Sequence, residues 1–401
     1  MNSEFEYVVS GTITSSQGFL AGAVQSGIKV PRALDLAIVY SEVPCVAVGV
    51  FTTNAIKAAP VVLSQKRLQD KSARAVVVNS GCANACTGTA GMADAEEMTG
   101  LVAEKLALSS EDVIVASTGV IGVSLPMERV RDGIGNITFI ADGGHELARA
   151  IMTTDTFTKE TAIFVKTETG GFTIGGVAKG AGMIHPNMAT MLCFLTTDAS
   201  VDADFLEQAL QKAVDASFNM ITVDGDTSPS DMVVLIANGL AGNRAINKDN
   251  GGAFQMALDE VCLYLAKCIA RDGEGATKLI EVTVECALDQ SEARLAARTI
   301  AGSSLVKAAI YGSDPNWGRI VAAIGRSGAQ VDETRLDLYL NNVCVVRQGH
   351  PESVDVDKLA ASLDNKEVFI RLNLNLGGNG ATAWGCDLSE EYVTINSAYT
   401  T

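Results

Sequence analysis

A mixed α/β fold is what this sequence predicts, and three observations carry the prediction. Short β-branched runs ending in glycine alternate with stretches of helical spacing. Hydrophobic residues make up 47% of the 401 and charged residues 19%, enough apolar material for a large packed core. The 38 glycines supply frequent tight turns between elements.

Taken in order, "ARAVVVNSG" (73–81) is a strand closed by a turn, and "MADAEEMTGLVAEKLAL" (92–108) follows with Met98, Leu101, Val102 and Leu106 on one helical side. "EDVIVASTG" (111–119) repeats the strand-then-glycine pattern. "DFLEQALQKAVDASF" (204–218) is an amphipathic helix with Phe205, Leu206, Ala209, Leu210, Ala213 and Val214 on its stripe; "FQMALDEVCLYLAKCIA" (254–270) is another. Beyond residue 280 the texture changes. "LIEVTVECA" alternates, 291–310 reads as helical, "YGSDPNWGRI" (311–320) as a structured turn, and Val368 to Leu376 alternates strictly. This predicts a second, smaller α/β lobe over 281–401 with a partly exposed antiparallel sheet, after a core over 1–280.

The totals exclude some functions. A net charge of −17 argues against non-specific nucleic-acid binding, which needs a basic surface. No run of about 18 apolar residues occurs, so no membrane span is expected, and the acidic start lacks a secretory h-region. Nine scattered cysteines read as reduced, free thiols of a cytoplasmic protein; the lone pair Cys82 and Cys86 has no second cluster to complete a zinc site and reads as ordinary buried thiols.

Catalytic motifs are sparse. There are three histidines, His145, His185 and His350, and no nucleophile elbow, phosphate loop or H-E-x-x-H. His185, before a proline, reads as a loop or core residue. A nucleophile manages without histidine at a chain N-terminus, where the α-amine has an unperturbed pKa of ~7.7–8.0 and serves as base. In "KGAGMIHPNMATML" (179–192), cleavage of Ala189–Thr190 would put Thr190 in that position, with a strand-like run behind it. The alternative is a plain strand entering the core. "ASTGVIG" (116–122) offers the Thr118 hydroxyl and the Gly119 N–H as oxyanion donors, or a common strand-end turn. Lys179, Glu274 and the polar ending "INSAYTT" could take a zwitterion, or be solvated surface.

Together these segments resemble the ornithine acetyltransferase family, the ArgJ proteins of arginine biosynthesis. The matching pieces are "GVFTTN", "VVNSGCANACTG", "ASTGVIG", "IMTTDT", "KGAGMIHPNMATML", "TVDGDTSPSD", "ARDGEGATK", "YGSDPNWGRI" and "ATAWGCDLSEEYVTIN", in family order along nearly the whole chain. Two positions depart from it: Thr158, where many relatives have proline, and the residues after "VDGDTS".

The resemblance implies a layered α/β sandwich like that of N-terminal-nucleophile hydrolases. It implies self-cleavage into an α chain (1–189) and a β chain (190–401), assembled as α2β2. Thr190 would take acetyl from N-acetyl-L-ornithine and pass it to L-glutamate in ping-pong fashion, with no metal and no cofactor. Thr118 and Gly119 would form the oxyanion hole. Thr153, Thr154, Lys179, Thr190, Glu274, Asn396 and Thr401 would bind substrate. Acetyl-CoA is a second donor for some members and not for others, and these residues do not distinguish the two. The rival enzyme reading is an amidase or aminopeptidase of the same fold; the rival outside enzymes is an uncleaved amino-acid-binding protein.

Overall fold

The computed structural model describes residues 5–29, 33–167, 170–185 and 191–398. The first stretch runs β1 (Phe5–Tyr7), β2 (Phe19–Val24), β3 (Leu36–Ser41), β4 (Val46–Phe51), α1 (Ala59–Arg67), β5 (Ala75–Cys82), α2 (Gly88–Leu106), β6 (Val113–Val120), α3 (Met127–Asn136) and α4 (Gly144–Ala150). The second runs β7 (Lys159–Thr167), β8 (Gly170–Lys179), β9 (Leu192–Thr197), α5 (Ala203–Ala216), β10 (Ile221–Thr222), β11 (Met232–Ala237) and α6 (Gly252–Arg271). The third opens with β12 (Leu279–Ala287), α7 (Gln290–Ala301), α8 (Ser304–Tyr311), α9 (Trp317–Gly325), β13 (Asp337–Leu340) and β14 (Val343–Arg347). It closes with β15 (His350–Pro351), α10 (Val356–Leu363), β16 (Glu367–Asn373), β17 (Asn379–Cys386) and α11 (Glu390–Ala398).

Two sheets stack face to face. One has the order β2-β3-β5-β6 and the other β1-β7-β8-β9-β11-β4. Val76, Val78, Ile114 and Ala116 of the first meet Val177, Phe194, Val234 and Ile236 of the second in one dry core. The outer face of the four-stranded sheet packs Val77 and Val115 against Met98 and Val102 of α2 and Ile134 of α3. The outer face of the six-stranded sheet packs Cys193, Leu195, Val233 and Leu235 against α5 and α6. Strands covered on both faces need unbroken apolar runs, and Met232–Ala237 is buried throughout. The layers are therefore α-β-β-α, the sandwich expected from the resemblance.

The C-terminal sheet, β10-β17-β12-β16-β13-β14-β15, continues the same core past α6. Three expectations change here. The sheet is mixed, because β12 pairs parallel with β16 and antiparallel with β17. The helical stretch 291–310 is two helices, since Gly302 closes α7 by donating its N–H to Arg298 O at 2.9 Å and Ser303 precedes α8. The supposed turn at 311–320 becomes α9 from Trp317, because Ile320, Ala323 and Ile324 extend a buried helical stripe beyond the turn. The strict alternation near 370 is real: Val368, Ile370 and Leu372 are buried, with Phe369 and Arg371 outward.

Candidate active site

Strand pairing brings distant segments to one edge of the sandwich. β8 ends at Lys179, whose antiparallel partner is Leu192 at the start of β9. Leu192 in turn faces Met232 of the parallel strand β11. In the other sheet β6 finishes with Ser117-Thr118-Gly119-Val120, parallel to β5 with Gly119 opposite Gly81. Between these ends lies a cavity. Thr118, Gly119, Thr153, Thr154, Lys179, Glu274 and Asn396 all line it, together with Gly182, Met183, Ser228 and Ser230. Thr190, Ala189 and Thr401 lie outside the described residues.

Gly119 is glycine for two reasons. Its φ is +128°, a region closed to most side chains. A Cβ there would lie 2.4 Å from the Gly81 carbonyl carbon. The two sheet strands can therefore approach closely at this edge.

Lys179 is 3% exposed. Its ammonium donates to Thr153 Oγ1 at 2.8 Å and to Thr118 Oγ1 at 3.5 Å. Burial loosens its proton, the Asp155, Asp231 and Glu274 carboxylates hold it, and Lys159 repels it; the net shift is downward. Asp155 lies beneath this group, with no exposed side-chain surface. Burial opposes its charge, but Lys179, Lys159 and the Gly180 N–H outweigh it and take the carboxyl down to about 2. Asp155 accepts the Thr153 N–H at 3.0 Å and the Gly180 N–H at 2.7 Å, so it fixes both the 153 turn and the exit from β8.

Glu274, which also lines the cavity, is 9% exposed and accepts Asn396 Nδ2 at 2.8 Å. Its own N–H donates to Ala181 O at 2.8 Å. Gly182 lies so close that a Cβ would stand 2.5 Å from the Glu274 carboxyl. Neither Lys179 nor Glu274 is a solvated surface charge.

Both flanks of segment 186–190 are held by aspartates. Asp224 accepts the Met183 and Ile184 N–H groups at 2.5 and 2.9 Å. Asp231, fully buried, accepts the Met191 N–H at 3.0 Å, and its second oxygen has no hydrogen-bond partner among the described residues. Burial pushes the Asp231 carboxyl well above the usual range. His185 does not line the cavity. It is half-buried, 3.3 Å from Thr222 Oγ1, and burial lowers its pKa, as befits a loop histidine. Cys82 is buried as expected, whereas Cys86 is exposed. No cluster of three or more metal-ligating side chains occurs among the described residues.

Sequence reasoning missed Asp155, Lys159, Asp231 and Asp272, and the cavity serines 228 and 230. Their motifs are visible in "TTDTFTKE", "RDGEG" and "TSPSD", but no spacing rule links residues 155 and 272.

A buried ammonium with hydroxyl neighbours and a carboxylate bonded to an amide, lining one cavity with the Thr118-Gly119 strand end, suit an amino-acid substrate. These groups line one cavity at the strand edge of an α-β-β-α sandwich. The chain belongs to the ArgJ family, whose profile matches residues 20–401. The Arginine biosynthesis bifunctional protein ArgJ of Dehalococcoides mccartyi is 55% identical over 405 aligned positions, covering 100% of both chains. That of Symbiobacterium thermophilum is 54% identical over 401, covering 98% of this chain and 99% of the relative. The crystal structure of the Arginine biosynthesis bifunctional protein ArgJ from Bacillus halodurans matches with a TM-score of 0.50 and 46% identity, covering 51% of this chain and 98% of that one.

Proposed function

We infer that this chain is an acyltransferase of arginine biosynthesis, moving acetyl from N-acetyl-L-ornithine to L-glutamate through acetyl-Thr190. The observation that carries this is one cavity at the strand edge lined both by the buried Lys179 with Thr153 and by Glu274 with Asn396. The Lys179–Thr153 pair complements the α-carboxylate common to both substrates. The Glu274–Asn396 pair complements the cationic side chain of ornithine.

Cleavage of Ala189–Thr190 supplies an α-amine base and frees the hydroxyl to attack the acetyl carbonyl. The attacking oxygen forms the ester as the amide bond breaks, and the departing ornithine nitrogen takes the proton. Thr118 and Gly119 face the developing oxyanion, a donor set worth ~2.7–4 kcal/mol per member. Glutamate's amine then attacks the ester and restores the hydroxyl. Exchange of one amide for another needs neither metal nor redox cofactor. The matched Bacillus halodurans chain is about half as long as this one, which supports a cut near the midpoint.

Assembly as α2β2 and a cytoplasmic location belong to the same reading; all nine cysteines are free thiols. Among the described residues no helix is long and apolar enough to cross a membrane.

Rapid mixing with N-acetylornithine alone tests the reaction order. One equivalent of ornithine per site, with turnover beginning only on adding glutamate, is expected. Steady acetate release without glutamate would instead mark an amidase. Acetyl-CoA in place of N-acetylornithine shows whether a second donor is used.

A further inference from the structure

Two buried lysines compete for one carboxylate beneath the cavity. Lys159 and Asp155 both have no exposed side-chain surface. Lys159 Nζ lies 2.6 Å from Asp155 Oδ1 and 2.5 Å from Asp272 Oδ2. Lys179 approaches the same Asp155 only to 4.0 Å and spends its short hydrogen bond on Thr153. With the Gly180 and Thr153 N–H groups also bonded to it, Asp155 is nearly saturated.

We propose that Lys159 is a positioning residue for transfer: by occupying Asp155 it leaves the Lys179 ammonium available to the substrate carboxylate, and by reaching Asp272 it fixes the distance to Glu274. This rests on reading the cavity as the site for N-acetylornithine and glutamate. Lys159 does not line that cavity and acts through its two carboxylates. Asp272 stands two residues before Glu274 and also accepts the Thr156 N–H at 3.0 Å. One ammonium thus ties residues 153–156 to residues 272–274, segments that fall on opposite sides of the proposed cut.

Without Lys159 the whole charge of Asp155 would face Lys179, and at low effective dielectric a carboxylate and an ammonium about 4 Å apart attract strongly. The internal ion pair would close and compete with the incoming carboxylate. The charged groups facing Lys179 are Asp155, Asp231 and Glu274, which stabilise its proton, and Lys159 and Lys29, which repel it. Deleting Lys159 removes a repulsion, so the Lys179 pKa rises and the alkaline limb of activity moves to higher pH.

The test measures KM, kcat and the pH profile of the full-length enzyme carrying Lys159→Gln. Expected are a rise in KM of about tenfold for both substrates, about one charge-assisted hydrogen bond, a much smaller change in kcat, and the upward shift of the alkaline limb. A merely structural defect would not move that limb. Wild-type KM and an unmoved limb in a folded variant overturn the proposal. If the single variant does not fold, Lys159→Gln with Asp272→Asn, which leaves no added lone charge, decides by the same criteria. Lys179→Met is run alongside. If its KM stays at the wild-type value, the reading of the cavity fails and this proposal with it. If Lys179→Met raises KM and Lys159→Gln does not, only the role of Lys159 fails.

Discussion

Lys179 pairs with Leu192 across β8 and β9, so the buried ammonium of the site stands opposite the second residue after Thr190. The chain leaves the sheet after Lys179 and re-enters beside it at Leu192, and the proposed cleavage point falls between these two positions in sequence. This pairing sets the candidate carboxylate-binding group at the strand edge where β9 begins, two positions after the candidate nucleophile in sequence. It also makes the site sensitive to changes at a few positions.

Thr190→Ala removes the attacking hydroxyl. The variant should stay as one 41.8 kDa chain and release no ornithine. A gel showing two fragments would take Thr190 out of the cleavage step.

Thr118→Ala deletes a hydroxyl that lines the cavity at 5% exposure. Single-turnover acetylation should slow by roughly 10²–10³ if that hydroxyl meets the oxyanion. An unchanged rate would leave Thr118 as a plain hydrogen-bond partner of Lys179.

Gly182→Ala puts a methyl against the Glu274 carboxyl and displaces it from Asn396. The KM for N-acetylornithine should rise about tenfold, the loss of one charge-assisted contact. Steady-state kinetics of ornithine release would show it, because only the donor brings a side-chain cation to Glu274.

How much of this could be read from the chain differs by element. The strands at β5 and β6 and the helices α5 and α6 were legible because their periods are local. So was the seven-residue set lining the cavity, though through family motifs and not through spacing. The Asp155–Lys159–Asp272 network was not, since it joins residues over a hundred positions apart and hides its charges in a core. Pairing of β4 with β11, which sets one edge of the six-stranded sheet, is likewise long-range. α9 was obscured because Pro315 and Gly318 punctuate its beginning like a turn.

Asp155 gives the fold an acid limit. Its carboxyl is held at about 2, below an ordinary 3.8, which corresponds to about 2 kcal/mol of stability. Because the folded pKa is the lower one, that stability is present above the unfolded pKa and is lost as pH falls from about 4 to about 2. The stability gap between wild type and Asp155→Asn in urea should therefore narrow over that window. A gap that stays constant between those pH values would contradict the assignment.

The central claim is a covalent acetyl on a new N-terminal threonine, and a denatured intact mass before and after adding N-acetylornithine tests it most directly. Two species matching residues 1–189 and 190–401, with one acetyl gained by the second, are the expected result. A single unmodified 41.8 kDa species would contradict the account.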